Sequence, residues 1–121
     1  TLYVAAVRAA AERLDCQFEQ VTMVENATIG ANAIIKSRLP TFTAKPGGTI
    51  LCTRLGYGSV LFTIEEAARN SGMKMRAIDI RFPIKSKRDL IEQFENELQK
   101  GDVDDIRLAV IDHITSATAV K

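Results

Sequence analysis

At 121 residues, with 46% hydrophobic and 26% charged residues, the chain has the make-up of one globular domain, long enough to bury a core. Sixteen basic against fifteen acidic residues leave a formal charge of +1, so no overall electrostatic footprint for nucleic acid or an anionic membrane exists. Two separated cysteines outside any C-x-x-C pair and a single histidine are too few soft ligands for a zinc site, and no metal is expected.

No apolar run approaches the roughly eighteen residues of a membrane span, and no signal peptide is visible. The cysteine usage points to a reducing, cytoplasmic-type compartment. The chain opens at Thr1, already inside a helical pattern, and stops at Lys121 just after a strand. We therefore expect residues 1–121 to be one α/β unit and an internal slice of a longer domain.

In chain order, Leu2, Val4, Ala5, Ala6, Ala9, Ala10 and Leu14 predict an alanine-rich helix, with Arg8, Glu12 and Arg13 toward water. "QVTMV" (20–24) predicts a short β-branched strand, and after a polar turn Ile29, Ala33, Ile34 and Ile35 predict a helix that Pro40 ends. "AKPGG" marks a turn into the strand "TILCT" (49–53), where Cys52 reads as a small buried hydrophobe. Val60, Leu61, Ile64 and Ala68 follow helical spacing up to an Asn70-Ser71-Gly72 cap. The strand "MKMRAIDI" (73–80) follows. Ser86 with Asp89 reads as a capping box, opening a helix whose Leu90, Ile91, Phe94 and Leu98 share a face and which ends at Lys100-Gly101. "IRLAVID" (106–112) reads as a strand covered on both faces.

Strands alternate with helices, which predicts an α/β fold: three layers, with a largely parallel sheet between helices. In such sheets ligands bind outside the carboxyl ends of the strands, and loops 25–30, 54–59 and 112–118 are expected to converge there. The first lacks both the P-loop and G-x-G-x-x-G fingerprints. It offers Thr28 at a helix start and Gly30, which suits a phosphate, while Asn26 as an N-cap would explain the same turn without a ligand. Tyr57, between Gly56 and Gly58, suits either a ligand platform or a packing contact. "DHITSAT" supplies Thr115 and Ser116. Asp112-His113 does not read as part of a triad, because neighbours on a strand point to opposite faces and no serine elbow is visible.

Together, "ENATIGANAII", "AKPGGTILCT", the tyrosine between glycines and "RLAVIDHITSATAV" resemble the class V aminotransferase family of pyridoxal-phosphate enzymes, fold type I. The likeness is to its isopenicillin N epimerase-like and cysteine desulfhydrase-like branch. The resemblance implies that the chain is part of the cofactor-binding large domain of an enzyme acting on an amino-acid substrate. Carbon–sulfur lysis, epimerisation or transfer would be the chemistry, and a homodimer the assembly. It implies that Ala27, Thr28 and Ile29 hold the phosphate of pyridoxal 5'-phosphate, that Tyr57 stacks on its ring, and that Ser116, rather than Thr115, bonds its phenolic oxygen. The family often has an acidic residue or histidine before the aromatic, whereas this chain has Arg54, Leu55 and Gly56. The family's catalytic lysine and ring-nitrogen aspartate fall beyond the strand at 106–112, so no residue here is assigned as catalytic. The rival expectation is a non-catalytic α/β binding or assembly module that has lost the cofactor.

Overall fold

A computed structural model describes residues 1–42 and 47–119 and shows three parallel strands between helices. Strand β1 (Thr49–Thr53) is central, flanked by β2 (Lys74–Ile78) and β3 (Ile106–Val110) in the order β2-β1-β3. Thr49 pairs with Lys74 and Thr53 with Ile78 on one side; Ile50 pairs with Leu108 and Cys52 with Val110 on the other. Parallel neighbours need crossover connections, supplied by helices α3 (Gly58–Ser71) and α4 (Lys87–Gln99). The three-layer α/β arrangement expected from the alternation is therefore present.

All five residues of β1 are buried, and their alternation feeds two cores. Ile50 and Cys52 pack with Ile35, Ile64, Ala67, Ala68 and Met73 on one face. Leu51 packs with Ile78 and Ile80 on the other, covered by Leu90, Phe94 and Leu98 of α4. Cys52 is the buried hydrophobe expected, and burial pushes its thiol up from the ordinary range.

Helix boundaries follow local chemistry. Ser86 Oγ accepts the Asp89 N–H at 3.1 Å, while Asp89 Oδ2 accepts the N–H of Lys85 at 3.0 Å, so the return bond of the box falls one residue before the cap. Gly72 ends α3 at φ 67°, and the Met73 N–H reaches back to Ala68 O at 2.9 Å. Gly48, at φ 119°, lies where an added Cβ would meet Arg107 Cγ at 2.7 Å, and its carbonyl accepts the Lys74 N–H at 2.8 Å. That close approach sets the start of β1 against both neighbours.

Two compact units are distinguished, Thr1–Gly30 and Ala31–Lys121. In the first, helix α1 (Leu2–Arg13) is N-capped by Thr1. The strand expected over 20–24 is absent: a single 3-10 turn spans Phe18–Gln20, and the residues after it join no sheet. Gln20 Oε1 accepts the Gln17 N–H at 2.9 Å, and Tyr3 Oη accepts the Met23 N–H at 3.4 Å while bonding Thr22 Oγ1 at 3.2 Å. At Met23 a side chain thus takes a backbone group that a ladder would otherwise satisfy.

Helix α2 (Ala27–Phe42) runs two residues past Pro40. In the last turn a proline forfeits one intrahelical bond rather than breaking the helix body. Residues 43–46, with the proline of the expected "AKPGG" turn, lie outside the described residues. Strand β3 corrects a further expectation: Arg107 and Ala109 are exposed while Ile106, Leu108 and Val110 are half-buried, so this edge strand is covered on one face rather than two. Among the described residues no helix is long and apolar enough to cross a membrane.

Because Ile50 is wholly buried at the centre of the sheet, Ile50→Ala should destabilise the protein by about 3 kcal/mol through lost burial and a residual cavity. Urea denaturation would register this as a lower midpoint.

Candidate functional site

The strand order makes the carboxyl edge of the sheet asymmetric. From β1 the chain crosses to β2 on one side, and from β2 it returns to β3 on the other. The loops leaving β1 and β3 therefore flank the point where strand order reverses, the usual ligand crevice of an open parallel sheet. Loops 54–59 and 112–118, two of the three expected at one site, leave the same edge of adjacent strands.

The β1 loop is built to present Tyr57. Gly56 N–H donates to Thr53 O at 3.2 Å, turning the chain, and Tyr57 becomes the N-cap residue of α3. Its carbonyl accepts from Val60 and Leu61 at 2.9 and 3.0 Å, while its side chain makes no capping bond and is 55% exposed. The backbone is thus fixed and the ring left accessible. Arg54 sits at the start of the loop, with Nε 3.9 Å from Asp79 Oδ1 beyond β2, both side chains being about two-thirds exposed. Such a pair is worth little on its own.

After β3, the two hydroxyl residues separate. Thr115 is buried, its Oγ1 2.7 Å from Thr118 Oγ1, and its carbonyl accepts the Ala119 N–H at 2.9 Å. Ser116 lies in the turn so formed and is exposed. His113 is also exposed, beside a half-buried Asp112.

In the other unit, Ala27 is exposed and Thr28 half-buried in the first turn of α2. Asn26 Oδ1 accepts the Ile29 N–H at 2.9 Å, and Asn26 O accepts the Gly30 N–H at 3.2 Å. Asn26 is therefore an N-cap. To serve a phosphate, the Ile29 amide would have to exchange this bond. The turn also has no strand before it, so the strand-to-helix junction expected there is a coil-to-helix junction.

Two polar atoms at the sheet's carboxyl end were not singled out from the sequence. Among the described residues, Thr53 Oγ1 and Asp112 Oδ2 are buried without a hydrogen-bond partner. A hydroxyl following the apolar Ile50-Leu51-Cys52 run at the carboxyl end of the central strand was the available signal for Thr53. Asp112 was weighed only as a triad member.

No family model matches the chain. It is similar to a probable chloroplastic L-cysteine desulfhydrase of Arabidopsis thaliana, at 29% identity over 107 residues, covering 84% of this chain and 22% of that protein. An L-cysteine desulfhydrase of the same plant shows 29% identity over 107 residues, with 84% and 24% coverage. A putative L-cysteine desulfhydrase 1 of Oryza sativa subsp. japonica shows 30% over 106 residues, with 84% and 22%. The chain spans less than a quarter of the length of these curated relatives.

Replacing Asn26 with Ala should cost about 1 kcal/mol at the start of α2. Hydrogen exchange of the Ile29 amide should speed up several-fold, with the amides of β1 unaffected.

Proposed function

We propose that this chain is part of the cofactor-binding large domain of a pyridoxal-phosphate-dependent enzyme, a carbon–sulfur lyase acting on cysteine or a cysteine-like amino acid. The observation that carries the reading is the likeness, along 84% of the chain, to three proteins named as L-cysteine desulfhydrases. The finer placement, among class V aminotransferases beside isopenicillin N epimerase-like proteins and as a homodimer, rests on the motif resemblance. Nothing among the described residues favours the non-catalytic module.

The residues at the sheet's carboxyl edge fit the cofactor's chemistry. A planar heteroaromatic ring calls for an exposed aromatic partner on a fixed backbone, as Tyr57 is, and a phenolic oxygen calls for an accessible hydroxyl, as Ser116 offers. The buried orphan atoms of Thr53 and Asp112 mark the same edge as short of polar partners. When bound, pyridoxal phosphate supplies the electron sink that makes bonds to the amino acid's α- and β-carbons labile.

In this reading the chain itself binds and orients. The first-turn amides of Ala27 and Thr28, with the Thr28 hydroxyl, hold the phosphate dianion at the positive end of α2. Ile29 joins them if its amide leaves Asn26. Tyr57 covers one face of the ring, which both fixes its plane and excludes water from that face. Ser116 bonds the phenolic oxygen and sets the ring's rotation. Cys52, buried and with its thiol pushed up, takes no part in sulfur chemistry.

The full natural protein, purified with pyridoxal phosphate, should show a near-visible absorption band that borohydride removes with the cofactor's mass retained on the protein. It should also release sulfide from L-cysteine. A folded protein with neither band nor retained mass would overturn the reading. Tyr57→Ala should weaken cofactor affinity about fivefold, on the order of 1 kcal/mol of lost stacking, and Tyr57→Phe should preserve it. Equal losses in both variants would assign the effect to the phenol rather than to the ring.

A further inference from the structure

Loops 54–59 and 112–118, "RLGYGS" and "DHITSAT", carry one permanent cation between them, Arg54. Its backbone is still tied to the sheet. The Arg54 N–H donates to Ile78 O at 2.9 Å, one step beyond the Thr53–Ile78 pair, and the Gly56 N–H closes the following turn onto Thr53 O at 3.2 Å. The main chain is thus fixed on both sides of the residue, while its side chain is 67% exposed.

Alternation along the strand sets Arg54 on the Cys52 face. Two observations agree. Asp79, two residues past the Ala77 that pairs with Cys52, meets the guanidinium there; and while burial pushes the Cys52 thiol up, the Arg54 charge draws it down. Helix α3 covers the same face through Val60, Leu61 and Ile64, with Tyr57 at its N-cap. The guanidinium and the aromatic therefore belong to one loop and one face of the carboxyl edge.

Little holds the guanidinium. Among the described residues its ion pair is with Asp79, Nε to Oδ1 at 3.9 Å, about 1 Å longer than a charge-assisted hydrogen bond. That contact involves the inner nitrogen and leaves the terminal nitrogens of the fork, which matches a carboxylate, unspent. Arg88, by contrast, holds Glu92 at 2.8 Å, and Arg76 is bonded to the last carbonyls of α4. Because β1 is central, β2 and β3 each lie about 4.8 Å from it. A side chain that reaches Asp79 beyond β2 has the same reach toward the loop after β3.

The geometry points to Arg54 as the residue that recognises the α-carboxylate of the amino-acid substrate. This rests on the cofactor reading of the site. An amino acid entering the crevice brings a carboxylate that loses water there and needs a fixed cation in return. Asp79 is the resting partner: an exposed pair of that length is worth little, so it keeps the guanidinium over the edge of the empty site and releases it at small cost.

The test uses the full-length protein loaded with pyridoxal phosphate and two inhibitors of sulfide release from L-cysteine. One is β-mercaptopropionate, which is cysteine without its amino group; the other is its methyl ester, in which the carboxylate charge is masked. Arg54→Gln should weaken inhibition by the acid about tenfold and raise the KM for L-cysteine by a similar factor, with inhibition by the ester and affinity for pyridoxal phosphate unchanged. Arg54→Lys, which keeps the charge but loses the fork, should fall between wild type and Arg54→Gln. Asp79→Asn should bind the acid as wild type does or up to about twofold more tightly, because it frees the guanidinium. Wild-type inhibition by the acid in Arg54→Gln overturns the assignment and leaves the cofactor reading intact. An equal loss for acid and ester, or a matching loss of cofactor affinity, overturns it too, since the damage would then not be to carboxylate recognition. A wild-type protein that binds no pyridoxal phosphate sinks the cofactor reading and this assignment with it.

Discussion

The burial of β1 on both faces, with a parallel neighbour on each edge, is the constraint from which the larger unit's architecture follows. A strand that hides all five residues must be covered twice, so Ile50 and Cys52 require one helical layer and Leu51 requires another. Parallel pairing forbids hairpins, so each connection must cross the sheet through a helix. Helices α3 and α4 meet both demands at once by packing on opposite faces, and the loops that leave β1 and β3 share the carboxyl edge. The candidate site is thus a by-product of how the central strand is buried.

The ends of the sheet show where structure is secured and where it is left open. Around the amino end and the outer strand, polar groups are closely matched. Arg76 donates to the Leu98 carbonyl at 3.2 Å and to that of Glu97, binding β2 to the last turn of α4. The Lys100 ammonium beside Glu97 holds that carboxyl below the usual range. The α2–α3 contact is polar as well, with Asn32 Nδ2 donating to Thr63 Oγ1 at 2.8 Å and that hydroxyl donating to Ser59 O at 3.0 Å. Against this background, orphaned atoms on Thr53 and Asp112 and an uncommitted Tyr57 ring at the carboxyl edge stand apart. Among the described residues these are the buried side-chain polar atoms left without a partner, which makes them informative.

The functional reading joins two independent kinds of support, a likeness in sequence to cysteine desulfhydrases and an edge whose groups suit a planar, polar cofactor. The contribution it assigns to this chain is binding and orientation. The Cys52 thiol is buried in the larger unit's core, with Arg54 opposing the upward push of burial on its ionisation.

Helix and strand identities in the larger unit were legible because they rest on local signals: the apolar "TILCT" run, the Gly72 cap, the Ser86 cap and the helical spacing of Leu90, Phe94 and Leu98. The motifs around residues 26–30, 57 and 113–116 were legible too, since each is a short run of unusual composition. Residues 20–24 were misread because β-branched composition describes a strand only if a neighbour supplies the ladder, and there the Tyr3 phenol takes the Met23 N–H instead. Strand β3 was misread for a related reason: apolar composition does not say how many of a strand's faces are covered. The sequence by itself determined which segments are helical, which apolar run forms the core, and which loops carry unusual residues. Only the tertiary structure decided the strand order that sets loops 54–59 and 112–118 side by side, the exposure of Ser116 over Thr115, and the orphaning of Thr53 and Asp112. Those properties depend on which distant residues become neighbours, and a hydroxyl or carboxylate has no partner, or lack of one, until they do.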